Sequence, residues 1–463
     1  MSVQNPGFLK SGAALFQRII HFAGLDRAVV FGSAARAWSL CAGIVTVAAV
    51  ATFFSPEVQG FYYTFISLVG LQVFAELGLG QVLIQFTSHE WSALELDRAG
   101  KIVGTDAALS RLAGLAHFAA RWYLAASSFF CVIAVVVGLF ELSGSGADVQ
   151  WRAPWILLCV AVGVDLFLLP FWSLLEGSNQ VAAINFLRFM RAVAQSISMW
   201  IAMALGAGLW ALVIATAFGI VVMILFALRQ HLRLFSQIFS LPAQAWRMWW
   251  KELWPMQWRI ALSSLSSYFT FLLFVPVLFR FHGPVAAGQM GMTWSLVTAL
   301  SGVTAVLVQT KTPGFGILIA RRQWAELDRL AWRAGASSIA LTVIGACTIF
   351  GAVLLLNAFE PNLARRFLPP EPLAVFLIAT IGQQATIPIS FYLRAHKREP
   401  LVFVSVASGI LIGLGVVIFG QRWGAIGMAW TYAAVVLFFG LPACVVILQR
   451  ARRAWHAGEA SGN

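Results

Sequence analysis

Nothing constrains the fold of this chain more than the apolar runs of about 20 residues that recur along it, separated by short polar breaks. A helix rises ~1.5 Å per residue, so ~20 residues cross ~30 Å of hydrocarbon. The runs and their breaks predict twelve spans: 30–54, 60–86, 122–140, 154–175, 180–204, 208–227, 256–279, 285–310, 335–357, 372–393, 400–420 and 424–448. Strand-like alternation is not the dominant pattern, which argues against a β-barrel. Of the 463 residues, 60% are hydrophobic and 11% are charged. A soluble surface needs about 25% charged residues, so most of the outside of this chain is expected to face lipid.

The formal net charge is +13, and its placement matters more than its size. Lys and Arg crowd alternate connections: Arg98, Lys101, Arg111 and Arg121, then Arg229, Arg233, Arg247 and Lys251. The series continues with Lys311, Arg321, Arg322, Arg329 and Arg333, then Arg394, Lys397 and Arg398, and last Arg450, Arg452 and Arg453. The other connections (55–59, 141–153, 205–207, 280–284, 358–371 and 421–423) are short and poorer in basic residues. The positive-inside rule then puts the basic set and both termini in the cytoplasm. Arg365 and Arg366 break the pattern and are partly balanced by Glu360 and Glu371. The amino terminus has no basic, apolar and small-residue cleavage pattern, and Phe8 to Phe22 reads as an interfacial helix. Trp246, Trp249, Trp250 and Trp254 alternate with Arg247 and Lys251, a mix expected at headgroup depth and not at nucleic acid. Cys41, Cys131, Cys159, Cys347 and Cys444 stand singly in apolar segments, so neither a metal site nor a cofactor is expected.

The chain also repeats itself. Phe54-Ser55-Pro56-Glu57-Val58 before the second span resembles Phe281-His282-Gly283-Pro284-Val285 before the eighth, and Ile66-Ser67-Leu68-Val69 matches Trp294-Ser295-Leu296-Val297. Trp91 to Arg98 resembles Trp324 to Arg329, and Leu169-Pro170-Phe171 matches Ile387-Pro388-Ile389. These matches, all in one order, predict an all-α membrane protein of twelve helices in two six-helix lobes around a central cavity. The expected divisions are an N-terminal interfacial segment 1–29, a first lobe 30–227, an amphipathic linker 228–254, a second lobe 255–448 and a basic tail 449–463.

Ala75-Glu76-Leu77-Gly78-Leu79-Gly80-Gln81, with Ser55 to Phe61 before it and Lys311-Thr312-Pro313 in the second half, is similar to segments of the MOP exporter superfamily. Within that superfamily the chain resembles Wzx-type polysaccharide (O-antigen) flippases. The resemblance implies a V-shaped pair of bundles that moves an undecaprenyl-diphosphate-linked oligosaccharide from the cytoplasmic to the periplasmic leaflet. It implies transport without covalent chemistry, in contact with membrane lipids and with a polysaccharide polymerase complex as a candidate partner. A drug/cation antiporter of MATE type has the same span count but should carry a net acidic cavity. A membrane glycan polymerase or ligase normally needs a large outer loop, and none is present in the sequence.

Ionisable residues inside spans are costly and so are the candidates for function. Glu76, Asp165, Arg188 and Arg191 all fall roughly 14–18 Å from the cytoplasmic ends of their spans. Arg188 and Arg191 share a helix face. Two readings stay open: an ion pair of Asp165 with one arginine that only holds the lobe together, or a cationic patch whose guanidinium forks grip diphosphate oxygens. Glu76 or Asp165 would then tune the patch or carry a coupling proton. Arg36 and Arg259 lie nearer the cytoplasmic side, as snorkelling residues or as lining of the mouth. By the repeat Asp165 corresponds to Gln383, so the second lobe offers uncharged lining such as Gln383, Gln384, Ser263, Ser264 and Tyr268.

Overall fold

A computed structural model describes residues 27–97, 101–146, 148–241, 246–396 and 398–456. The interfacial helix expected at Phe8 to Phe22, and the end of the basic tail, lie outside those residues. Helix α1 (Arg27–Phe53) is followed by α2 (Pro56–Val69), α3 (Gln72–Glu76) and α4 (Leu79–Trp91). A small antiparallel hairpin, β1 (Leu94–Leu96) with β2 (Ile102–Gly104), sets Leu94 opposite Gly104. Then come α5 (Asp106–Leu142), α6 (Arg152–Gly177), α7 (Val181–Ala204), α8 (Trp210–Gln230) and the short α9 (Leu232–Ser240). The second half comprises α10 (Trp246–Phe271), α11 (Phe274–Gln309), α12 (Thr312–Ala320), α13 (Trp324–Phe359) and α14 (Pro361–Ala364). It ends with α15 (Pro370–Ala395), α16 (Val402–Ala434) and α17 (Leu441–His456).

Among the described residues, nine helical stretches are long and apolar enough to cross a membrane. This is a multi-pass membrane protein. Two of the nine, Tyr268–Ala320 and Val402–Trp455, contain sharp breaks at Gly283 (φ 85°) and Gly424 (φ 61°). Both backbones sit where L side chains are strained, so glycine is what lets the chain reverse there. Helix α7 is 24 residues long but falls outside the nine, because Arg188, Arg191 and several amides and hydroxyls dilute its apolar character.

Local chemistry explains the boundaries. Ser55 caps α2 by accepting the Val58 N–H at 3.3 Å, Pro56 supplies the fixed first-turn φ, and Glu57 faces the positive end of the helix dipole. The second span, expected to be continuous over 60–86, is broken. Leu77 (φ 50°) and Gly78 (φ 71°) are both left-handed, ending α3 and starting α4 in mid-span. Hydropathy reports burial and not φ, so the apolar run hid the break. The third span is overtaken at its basic end: α5 begins at Asp106, well before the expected 122, and runs on outside the apolar window.

In the linker, α9 packs by one face, and one of the four tryptophans departs from expectation. Leu234 and Ile238, four apart on α9, bury their side chains, and Gln237 accepts from the Ile102 N–H (2.7 Å) while donating to its C=O (2.8 Å). Trp249 is fully buried against Phe86 with Arg111 over its ring, so it is a packing residue and not the surface anchor expected. Trp250 and Trp254 are exposed and stack on each other at 5.0 Å, as interfacial indoles do.

The packing of the first half recurs in the second. Helix α1 lies on α7 as α10 lies on α16; α5 lies on α6 as α13 lies on α15; α6 meets α8 as α15 meets α17. The halves meet at both ends of the molecule. At the end away from the basic connections, α2 crosses α11 so closely that a Cβ on Gly60 would stand 1.9 Å from the Pro284 carbonyl oxygen. Small residues at such crossings let helices associate in lipid, where close packing replaces the hydrophobic drive. Buried Gln59 donates there to the carbonyls of Gly288 (2.9 Å) and Arg366 (3.0 Å), and Gln289 donates to the Arg365 carbonyl (2.9 Å). The two arginines that break the charge pattern thus sit at this seal. At the basic end, Gln257 donates to the Leu77 carbonyl freed by the span break (2.8 Å), and Arg111 bridges Glu90 (2.9 Å) and Glu252 (3.1 Å).

Candidate functional site

Between α1, α2, α7, α8 and α11 lies a cavity of about 420 Å³. Its polar lining is uncharged: Ser39, Thr46, Tyr62, Gln195, Ser196 and Thr216 are among its residues. The hydroxyls are already committed as donors. Ser39, Thr46, Ser196 and Thr216 each donate to the carbonyl four residues earlier, at 2.7–2.8 Å. Ser39, Ser196 and Thr216 keep lone pairs free to accept, and Thr46, which already accepts from Trp200 Nε1, keeps one, so the wall offers acceptors to a ligand rich in O–H or N–H groups.

Charge enters at the basic side of this cavity. On α7 the lining stripe Ala192, Gln195 and Met199 continues, one turn earlier, to Arg188; on α1 the stripe Ser39, Gly43 and Thr46 continues to Arg36. The two helices run side by side and in register. Asn185 Nδ2 donates to the Ala28 carbonyl (2.9 Å), and Trp200 Nε1 to Thr46 Oγ1 (2.9 Å). Interpolating between these contacts places Arg36 level with Arg191. That register puts the three arginines in one tier about a helical turn thick, so Arg36, for which snorkelling and lining of the mouth both stood open, lies level with the other two.

The carboxylates divide among the tier. Arg191 Nη2 donates to Asp165 Oδ2 at 2.6 Å, and its Nη1 meets Met223 Sδ at 3.1 Å. Arg188 pairs instead with Glu176, at 2.6 and 3.4 Å, and reaches Asn185 Oδ1 at 3.4 Å. Its side chain stays half exposed, at 50%, whereas Arg191 is 25% exposed. Arg36 is exposed and has no ion-pair or hydrogen-bond partner among the described residues. Three cations against two carboxylates leave a net positive tier. It is less basic than the sequence suggests, because Glu176, a span end by hydropathy, supplies the second carboxylate.

Glu76 is apart from this tier. It ends α3 at the span break, and a Cβ on Gly80 would lie 3.3 Å from its Oε1 and 3.4 Å from Ser173 Oγ. It makes no ion pair among the described residues, so its charge is not matched to Arg188 or Arg191. In the second half, Gln383 lines a smaller cavity of about 140 Å³ with Thr270, Ser390, Ser405 and Ser408, again without charge. Gln384 is 1% exposed and donates to Ser338 Oγ (2.7 Å), which donates to the Thr304 carbonyl (2.8 Å). That relay ties α15 to α13 and α11. Replacing Gln384 with leucine should cost about 1–3 kcal/mol of stability by stranding buried polar groups, lowering the thermal midpoint in detergent; an unchanged midpoint would refute it. Tyr268 is buried edge-on to Phe74 (5.3 Å), joining α10 to α3. The side chains of Arg259, Ser263 and Ser264 lie outside the described residues.

No protein-family model matches the sequence, and no curated protein matches it. Solved structures do. The lipid II flippase MurJ, in an inward closed conformation, matches with a TM-score of 0.64 at 13% identity, over 91% of this chain and 87% of that one. An inward-facing multidrug resistance MATE family transporter of the MOP superfamily matches at 0.58 and 14%, over 95% and 100%. The MATE multidrug transporter DinF-BH matches at 0.55 and 14%, over 93% and 96%. The fold is like that of these transporters. At such identities the likeness extends to the fold alone, and the cargo has to be argued from the chain's own side chains.

Two site residues escaped sequence reading. Glu176 carried little signal: it stands two residues before the turn at Ser178 and Asn179 while Arg188 stands nine residues after it, so the pair depends on the reach of two long side chains. Counting outward from the same turn does put Asp165 level with Arg191. Gln257 carried none, because its role depends on the break at Leu77, which belongs to the other half of the molecule.

Proposed function

We propose that this chain is a flippase of the bacterial inner membrane that moves a lipid-diphosphate-linked oligosaccharide by alternating access, for surface polysaccharide biosynthesis. Twelve spans in two lobes, 30–227 and 255–448, are part of this reading; it is supported by the nine stretches, two of them broken at Gly283 and Gly424, together with α7. The basic end then faces the cytoplasm, by the positive-inside rule. The observation that carries the cargo is the tier of Arg36, Arg188 and Arg191 beneath an uncharged, acceptor-rich cavity. Guanidinium forks bind diphosphate oxygens two at a time, and sugar hydroxyls donate to the wall above. The contacts Gln257–Leu77 and Arg111–Glu252 at one end and Gly60–Pro284 at the other are the two seals that would open in turn.

The test is flipping of a fluorescent polyprenyl-diphosphate sugar in proteoliposomes. Arg188→Ala with Arg36→Ala should slow it roughly tenfold or more, since a charge-assisted contact is worth ~1.5–3 kcal/mol. Arg188→Lys should recover part of the rate. Wild-type flipping by the double variant at equal incorporation would overturn the reading. The drug/cation antiporter remains the second reading, favoured by the two carboxylates that pair with the arginines. Efflux of a cationic dye that survives the double variant would select it.

A further inference from the structure

A second basic site lies on the other half of the molecule, away from the cavity. At the basic end, a groove of about 620 Å³ opens between the end of α11, α12 and the start of α13. Glu326, Arg329, Arg333 and Ser337 line it from one face of α13, being spaced three or four apart, and Lys311 faces it from the turn before α12. The side chains of Lys311, Arg329 and Arg333 have no ion-pair or hydrogen-bond partner among the described residues, and all three residues are exposed. Against one carboxylate they leave the groove with a local excess of two positive charges.

The rest of the groove is apolar. Leu307, Leu318, Leu330 and Ala334 form its floor. Exposed apolar side chains continue from it toward the hydrocarbon: Val303, one turn from Leu307 on α11, and Leu341, one turn from Ser337 on α13. Trp332, 77% exposed between Arg329 and Arg333, marks headgroup depth. A soluble anion would have no use for the apolar floor or its continuation, and an acidic peptide would not lie along lipid-facing side chains. An anionic lipid uses every part.

We propose that this groove binds the headgroup phosphate of an anionic phospholipid in the leaflet at the basic end, with Arg329, Arg333 and Lys311 on the phosphate and the acyl chains along Val303, Leu307 and Leu341. Each basic residue near an anionic lipid surface contributes about a fivefold preference. The site is separate from the arginine tier and does not depend on what the cavity carries.

The test is native mass spectrometry of the delipidated full chain with phosphatidylglycerol, phosphatidylcholine or inorganic phosphate. The wild type should prefer phosphatidylglycerol over phosphatidylcholine by at least about tenfold, and excess inorganic phosphate should not displace the lipid. K311Q/R329Q/R333Q should bring the two lipids near parity, while Arg321→Gln, which removes a neighbouring charge outside the groove, should leave the preference intact. Should the triple variant not fold, Arg329→Gln and Arg333→Gln singly decide, each losing about fivefold. Full preference in these variants, or displacement by inorganic phosphate alone, would overturn the proposal.

Discussion

Replacing Gly60 with alanine should abolish transport and open the end of the molecule opposite the basic connections. The new Cβ would stand 1.9 Å from the Pro284 oxygen, 2.5 Å from its carbonyl carbon and 2.8 Å from its Cα, all backbone atoms. No rotamer change relieves that contact, so α2 and α11 must separate. Gly288 and Gly291 on α11 are close as well, their Cβ positions 3.0 Å from the Gly60 nitrogen and 2.3 Å from the Tyr63 Cβ, which leaves little neighbouring slack. Buried Gln59 would lose its carbonyl partners on Gly288 and Arg366 as the helices part. Overpacking of this kind costs at least ~1–3 kcal/mol, comparable with the gap between alternating states of a carrier. The readout is labelling of Ser295→Cys, in the cavity, by an impermeant maleimide applied from the outside, with exposed Cys41 and Cys347 first replaced. Labelling should be slow with Gly60 and fast with alanine there. Gly302→Ala is the control, since nothing lies within 4 Å of its Cβ position. Equal labelling and equal transport in the alanine variant would show that this crossing is not the seal.

That crossing shows what sequence can and cannot carry. Gly60 and Pro284 lie in or beside the two repeated segments, Phe54 to Val58 and Phe281 to Val285, so the repeat pointed to paired elements. It could not show that they touch, because contact across the halves is a tertiary fact with no local period. The apolar runs were legible because span length is fixed by bilayer thickness. The break at Leu77 was not, since a left-handed leucine costs nothing in hydropathy. The arginine tier was half legible: depth from helical rise placed Arg188 and Arg191 together, but Arg36 joined them only through the register of α1 on α7. Gln384 reads as lining from polarity alone; its burial shows that an amide in lipid also serves to fasten helices.

The Asp165–Arg191 pair separates a structural from a functional role by a double-mutant cycle. Both side chains are about three-quarters buried and 2.6 Å apart. Asp165→Ala strands the guanidinium in a membrane span, which should cost about 3 kcal/mol, the low end for an uncompensated buried charge. Arg191→Leu strands the carboxylate at a similar cost. Removing both should recover stability to within about 1 kcal/mol of the wild type, because no buried charge is left unmatched. Thermal unfolding in detergent measures this, and flipping in proteoliposomes is followed on the same four proteins. If the pair only holds α6 to α7, transport recovers with stability in the double variant. If Arg191 holds the cargo's phosphates while Asp165 positions its fork, stability recovers and transport does not. We expect the second outcome, because Arg191 shares its tier with Arg188, half exposed, and with Arg36, which no carboxylate neutralises among the described residues.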